Sequence, residues 1–143
     1  MNKIKLGRSG VEAPQIGLGC MRIAGLSAAQ GEKLIRTAME NGINFFDHAD
    51  IYGGGECESF FAKVFPMNAD LREKVILQTK CGIRQGCFNF FKEHVLASVD
   101  ASLARLKTAT FCSCTVRTRS WSRRRLRKRS APSGRLGRSG ILA

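Results

Sequence analysis

Ile43-Asn44-Phe45-Phe46-Asp47-His48-Ala49-Asp50-Ile51-Tyr52-Gly53 decides the fold of this chain. The run that ends in Phe45 and Phe46 has the length and apolar content of a short buried strand. The charge at Asp47 closes it. A loop from Ala49 to Gly55 follows, and Phe60, Phe61 and Val64 then recur at helical spacing until Pro66 ends the helix. One strand handing over to one helix makes a β-α unit.

The same unit repeats on both sides. Upstream, Ser27-Ala28-Ala29-Gln30 has the form of a capping box, in which a hydroxyl and an amide satisfy the free amides of a helix start. Leu34, Ile35, Ala38 and Met39 give that helix an apolar stripe, and Asn41-Gly42 supplies a left-handed stop. Ile16-Gly17-Leu18-Gly19-Cys20 before it reads as a buried strand. Downstream, Val75 to Thr79 reads as a third strand. Phe91, Val95, Ala97 or Ser98, Val99, Leu103 and Leu106 then outline a helix from Phe91 to Lys107. At the N-terminus, Lys3 to Leu6 and Val11 to Ala13 alternate around Gly7-Arg8-Ser9-Gly10, which predicts a β-hairpin ended by Pro14.

A hairpin followed by three β-α units implies right-handed crossovers and a parallel α/β sheet, either doubly wound or a barrel. A doubly wound dinucleotide fold needs a glycine-rich fingerprint after its first strand. Gly17-Leu18-Gly19 continues as Cys20-Met21-Arg22-Ile23 and does not complete one.

Charge divides the chain in two. The net charge of +13 suggests a nucleic-acid partner until it is located. Residues 1–114 carry 14 basic and 11 acidic side chains, whereas residues 115–143 carry 10 basic ones and no acid. No run approaches the roughly 18 apolar residues of a membrane helix, and Met1 to Gly7 lacks a secretory h-region, so a cytoplasmic protein with no membrane partner is expected. The six cysteines are scattered, and Cys81, Cys87 and His94 match no common zinc spacing.

Reactive groups of parallel α/β folds gather at the C-terminal ends of strands. Asp47 follows one strand, Tyr52 lies in the next loop and Lys80 follows another. An ammonium beside a phenol favours the phenolate, and a carboxylate holds the ammonium in place, so this set can transfer a proton. The structural alternative is an Asp47–Lys80 ion pair with Tyr52 packed over it. Glu56 and Glu58 read as a solvated helix start, favourable near the helix dipole, and His94 as a surface residue.

Phe45 through Gly53 and Thr79-Lys80-Cys81-Gly82-Ile83 resemble the two N-terminal signatures of the aldo-keto reductase family. Lys5-Leu6-Gly7 through Gly17-Leu18-Gly19-Cys20-Met21-Arg22 resembles that family's closing hairpin and first strand. The resemblance implies a (β/α)8 TIM barrel that reduces an aldehyde or ketone, a small-molecule carbonyl substrate, with NADPH or NADH. It implies catalytic roles for Asp47, Tyr52 and Lys80, and a place near the nicotinamide for Cys20, Met21, Arg22 and Asp47. The family's fourth catalytic position, a histidine after the fourth strand, has no counterpart in this chain.

Residues 1–108 therefore read as an incomplete barrel, and residues 109–143 as a non-homologous, disordered basic tail. The Arg-rich run from Thr115 to Ser130 offers non-specific nucleic-acid binding as the alternative function. A second origin follows from the genetic code. With the frame shifted back one base, allowed codons turn Thr115 to Ser130 into His-Arg-Pro-Asp-Ala-Leu-Val-Glu-Pro-Glu-Glu-Val-Ala-Glu-Ala-Phe, which resembles the family's fourth-strand exit and next helix. Arg135 to Ala143 becomes Ala-Ser-Gly-Lys-Val-Arg-His-Phe-Gly, and Thr110 to Cys114 can become Asp-Val-Leu-Leu-Leu. A frameshift near Thr108 to Thr110 is the expected cause, and a truncated barrel without carbonyl reductase activity the expected result.

Overall fold

Parallel strands laid side by side in chain order, with the described helices on one face, form the framework. The computed structural model describes residues 2–109, 111–114 and 141–142. The strands are β1 (Lys3–Lys5), β2 (Glu12–Pro14), β3 (Leu18–Gly19), β4 (Phe45–Asp47), β5 (Ile76–Cys81), β6 (Ile83–Arg84), β7 (Cys87–Phe88), β8 (Phe111–Cys114) and β9 (Ile141–Leu142). The helices are α1 (Ala28–Glu40), α2 (Glu56–Val64), α3 (Ala69–Lys74) and α4 (Lys92–Leu106).

The main sheet runs β3-β4-β5-β8-β9, all parallel. A doubly wound sheet reverses its order partway; this one does not, as a barrel wall requires. Ile35 and Ala38 of α1, Phe61 and Val64 of α2 and Leu106 of α4 share one core with Phe46 and Leu77 of the sheet. Within it the Phe46, Phe61 and Phe65 rings meet at centroid distances of 5.2 to 6.4 Å. Each such contact contributes about 1 kcal/mol beyond area burial.

The hairpin β1–β2 pairs antiparallel, Lys3 with Pro14 through Lys5 with Glu12. Ala13 packs with Ile76 and Phe45, so the hairpin sits at the N-terminal ends of β4 and β5, away from the loops that follow those strands. In α1, Ser27 Oγ accepts from the Gln30 amide and Gln30 Oε1 accepts from the Ser27 amide, completing the capping box. Gly42 takes the left-handed conformation at φ 79° behind Asn41.

Several expectations are corrected. The strand expected over Ile16–Cys20 is confined to Leu18–Gly19, and Ile16 is exposed. In α1 the inward face is Gly31, Ile35 and Ala38, with Leu34 exposed. In α4 it is Val95, Ser98, Ser102 and Leu106, while Phe91 is 76% exposed and Leu103 also faces outward. Serines replace large apolar residues there because α4 meets polar side chains rather than only the aromatic core. The helix α3, capped by Asn68, and the small antiparallel pair β6–β7 were not anticipated; both are too short to show a hydrophobic period.

Described strand structure continues past residue 108. Phe111–Cys114 forms a fourth parallel strand, pairing with Gln78 through Cys81, and β9 adds two residues beyond it. Four consecutive residues without Gly or Pro suffice for a ladder against the free edge of β5. The Arg-rich run from Thr115 to Ser130, Trp121 and the nucleic-acid reading attached to them lie outside the described residues.

Candidate active site

Asp47, Gln78 and Lys80 lie on the half-exposed face of the sheet, opposite the helices. Along β5 the side chains alternate, with Leu77, Thr79 and Cys81 turned into the helix-side core and Gln78 and Lys80 to the other face. Register places Asp47 beside Gln78. Lys80 Nζ donates to both carboxylate oxygens of Asp47 at 2.6 Å, and Gln78 Nε2 donates to Asp47 Oδ1 at 2.9 Å. Lys80 Nζ also lies 5.3 Å from the centroid of the Tyr52 ring. The three side chains expected to cooperate are brought together at the C-terminal end of the sheet. Gln78 was missed, although its position two residues before Lys80 on one strand is the signal that could have found it.

Tyr52 opens a short 3-10 turn, Tyr52–Gly55, in which Gly53, Gly54 and Gly55 all have positive φ. Its amide donates to the Ala49 carbonyl, and the Asp50 amide donates to the Lys80 carbonyl, which ties the loop to β5. A second tie is ionic: Arg84 Nη2 donates to Asp50 Oδ2 at 2.9 Å and to Ser98 Oγ at 2.8 Å.

Cys20, Met21 and Arg22 follow β3 at the same end of the sheet. Met21 and Arg22 are exposed. Cys20 is 1% exposed, and its thiol is pushed up to about 12, first by burial and then by the Asp47 charge. Its side chain is withdrawn from solvent. His48 is fully buried, stacked edge-on against Phe61 at 4.8 Å, with no hydrogen-bond partner for either ring nitrogen among the described residues. Burial, and secondarily Lys80, hold its imidazole neutral by lowering it to about 3.

Glu58 corrects the expectation of a solvated helix start. Glu56 is exposed, but Glu58 is 0% exposed. Its Oε2 accepts from Arg105 Nε at 2.6 Å and its Oε1 from Thr79 Oγ1 at 2.5 Å. The dipole argument placed an acid at this helix start but could not say which face it would occupy.

Comparisons with known proteins identify relatives of this chain. The uncharacterized oxidoreductase YcsN of Bacillus subtilis is 42% identical over 92 residues, which cover 57% of this chain and 31% of that protein. The 6-dehydroglucose reductase of Novosphingobium aromaticivorans is 38% identical over 112 residues, covering 72% of this chain and 37% of the relative. The holo form of the aldo-keto reductase AKR11C1 from Bacillus halodurans matches with a TM-score of 0.68 at 30% identity, over 80% of this chain and 40% of that one. The chain thus spans 31% and 37% of the length of the two curated relatives. No helix among the described residues is long and apolar enough to cross a membrane. The aldo/keto reductase family model matches residues 15–111, which include every residue gathered around Lys80, and the chain belongs to that family of oxidoreductases.

Proposed function

We propose that residues 1–108 carry the proton-transfer half of an NAD(P)H-dependent carbonyl reductase, acting on an aldehyde or ketone, with Tyr52 as the general acid. The observation that supports this most is the Lys80 ammonium held on Asp47 and poised over the Tyr52 ring. The Tyr52 hydroxyl gives its proton to the carbonyl oxygen, and the phenolate left behind is stabilised by the adjacent ammonium. Asp47 holds the Lys80 ammonium in place, and Gln78 fixes Asp47. When bound, the dihydronicotinamide supplies the hydride. Met21 and Arg22, exposed after β3, and Asp47 fit a place against it, whereas buried Cys20 contributes packing. The relative named as a 6-dehydroglucose reductase supports a carbonyl substrate, and the holo neighbour supports a bound cofactor.

The 143-residue chain holds two histidines, His48 and His94, and none after β8. We therefore propose that it does not itself turn over, and that a frameshift near Thr108 to Thr110 separates it from an active protein. Reading the coding DNA across those codons tests the second point; an intact frame with unrelated codons refutes it. The first is tested by following NADPH oxidation with an aldehyde, in the chain and in a frame-restored protein. Turnover is expected only in the restored protein and only with Tyr52 intact. A restored protein that works equally well with Phe at position 52 overturns the assignment of the acid.

A further inference from the structure

The Glu58 carboxylate touches both halves of the site without touching the reacting groups. One oxygen accepts from Thr79 Oγ1, on the residue preceding Lys80 in β5. The other accepts from Arg105 Nε of α4, whose Nη2 also donates to Ser102 Oγ at 3.2 Å. The Arg105 guanidinium lies flat against Gly55, the last residue of the turn that begins at Tyr52. A Cβ added at Gly55 would stand 2.9 Å from Nε and 3.0 Å from Cζ. Gly55 also has φ 98°, so a side chain there meets backbone strain as well as a clash.

We infer that the pair formed by buried Glu58 and half-buried Arg105 is a positioning device that sets Tyr52 over Lys80. Thr79 faces the helices and Lys80 the opposite side, so a carboxylate clamped to Thr79 is referenced to the strand that carries the ammonium. Arg105 transmits that reference to the Tyr52 turn through contact with Gly55. Three consecutive glycines give the turn little stiffness of its own, and this contact supplies it. The same helix start adds a third tie, since Cys57 Sγ donates to the Met21 carbonyl at 3.3 Å, joining α2 to the segment after β3. Glu58 and Arg105 act through Gly55 and are positioning residues, not catalytic ones. The inference rests on the reading of Tyr52 as the acid.

Tyr52 is the single tyrosine of the chain, so ring-labelled tyrosine gives one set of NMR signals in the 143-residue protein. Nuclear Overhauser contacts between the Tyr52 ring and the Lys80 Cε protons are expected in the unsubstituted chain. They are expected to be lost in Arg105→Met and kept in Ser27→Ala, which removes only the exposed capping hydroxyl at the start of α1. Where Arg105→Met fails to fold, Arg105→Lys decides, because it keeps a cation beside Glu58 and removes the guanidinium that lies against Gly55; loss of the contact is again expected. A folded variant of either kind that retains the contact overturns the inference, as does absence of the contact in the unsubstituted chain. Failure of Tyr52 as the acid reads differently: the restored protein then tolerates Tyr52→Phe while the NMR contact still depends on Arg105.

Discussion

Lys80 Nζ lies over the face of the Tyr52 ring, 5.3 Å from its centroid. The same ammonium is bound by both oxygens of Asp47, so its position is set from the β4 side as well as by its own strand. A cation in that place stabilises negative charge on the ring through its field.

Removing the cation tests this. In the frame-restored protein Lys80→Met is expected to lower kcat/KM for an aldehyde by about 10²-fold or more, within the range of general acid–base contributions. Steady-state kinetics with the aldehyde varied at saturating NADPH provide the check. Retention of the original rate would remove Lys80 from the mechanism.

Buried His48 should make stability depend on pH. Its folded-state value, about 3, lies below the ordinary 6.5, so the unfolded chain binds the extra proton. The contribution is fully present above about pH 6.5 and is lost as pH falls toward about 3, with a limiting slope of about 1.4 kcal/mol per pH unit. Urea midpoints measured between these limits should fall with pH. His48→Phe, which keeps the ring against Phe61, should flatten that dependence, and an unchanged slope in the variant would show that other groups cause it.

Glu58→Ala leaves the Arg105 guanidinium and the buried Thr79 hydroxyl without their partner. Arg105 is partly exposed and keeps its bond to Ser102, so the main cost is the unsatisfied buried Thr79 hydroxyl and the lost charge-assisted bond, about 2 kcal/mol. Chemical denaturation of the chain should show a loss of that order, and a change no larger than that of an exposed-pair variant such as Glu32→Ala would contradict the role given to this carboxylate.

The helix start at Ser27 is a smaller lever. Ser27→Ala removes the hydroxyl that accepts from the Gln30 amide and should cost about 1 kcal/mol. Thermal or urea unfolding at neutral pH measures it, with Ser27→Thr as the variant that should restore most of the loss.

Periodicity made the main elements legible. The capping box at Ser27, the glycine stop at Gly42 and the β-α alternation around Phe45–Phe46 and Val75–Thr79 all depend on contacts a few residues apart, and each is present in the folded chain. The same method failed where local signals compete. Leu34, Phe91 and Leu103 fit helical stripes yet face outward, because a helix of this sheet can bury only the side that meets its neighbours. The strand at Phe111–Cys114 was hidden because its pairing partner, β5, is some thirty residues away and supplies the ladder.

Sequence alone determined which residue types stand at the ends of β4 and β5: an acid, a phenol in the following loop and an amine. Strand polarity and loop length are local properties, and they put Asp47, Tyr52 and Lys80 at one end of a parallel sheet. The tertiary structure decided what surrounds them. That Glu58 is buried on Arg105 and Thr79, that His48 is sealed against Phe61 and that Gln78 joins Asp47 all depend on the register of neighbouring strands and the seating of α2 and α4. Those contacts join residues 13 to 47 positions apart, and no short-range pattern in the chain encodes them.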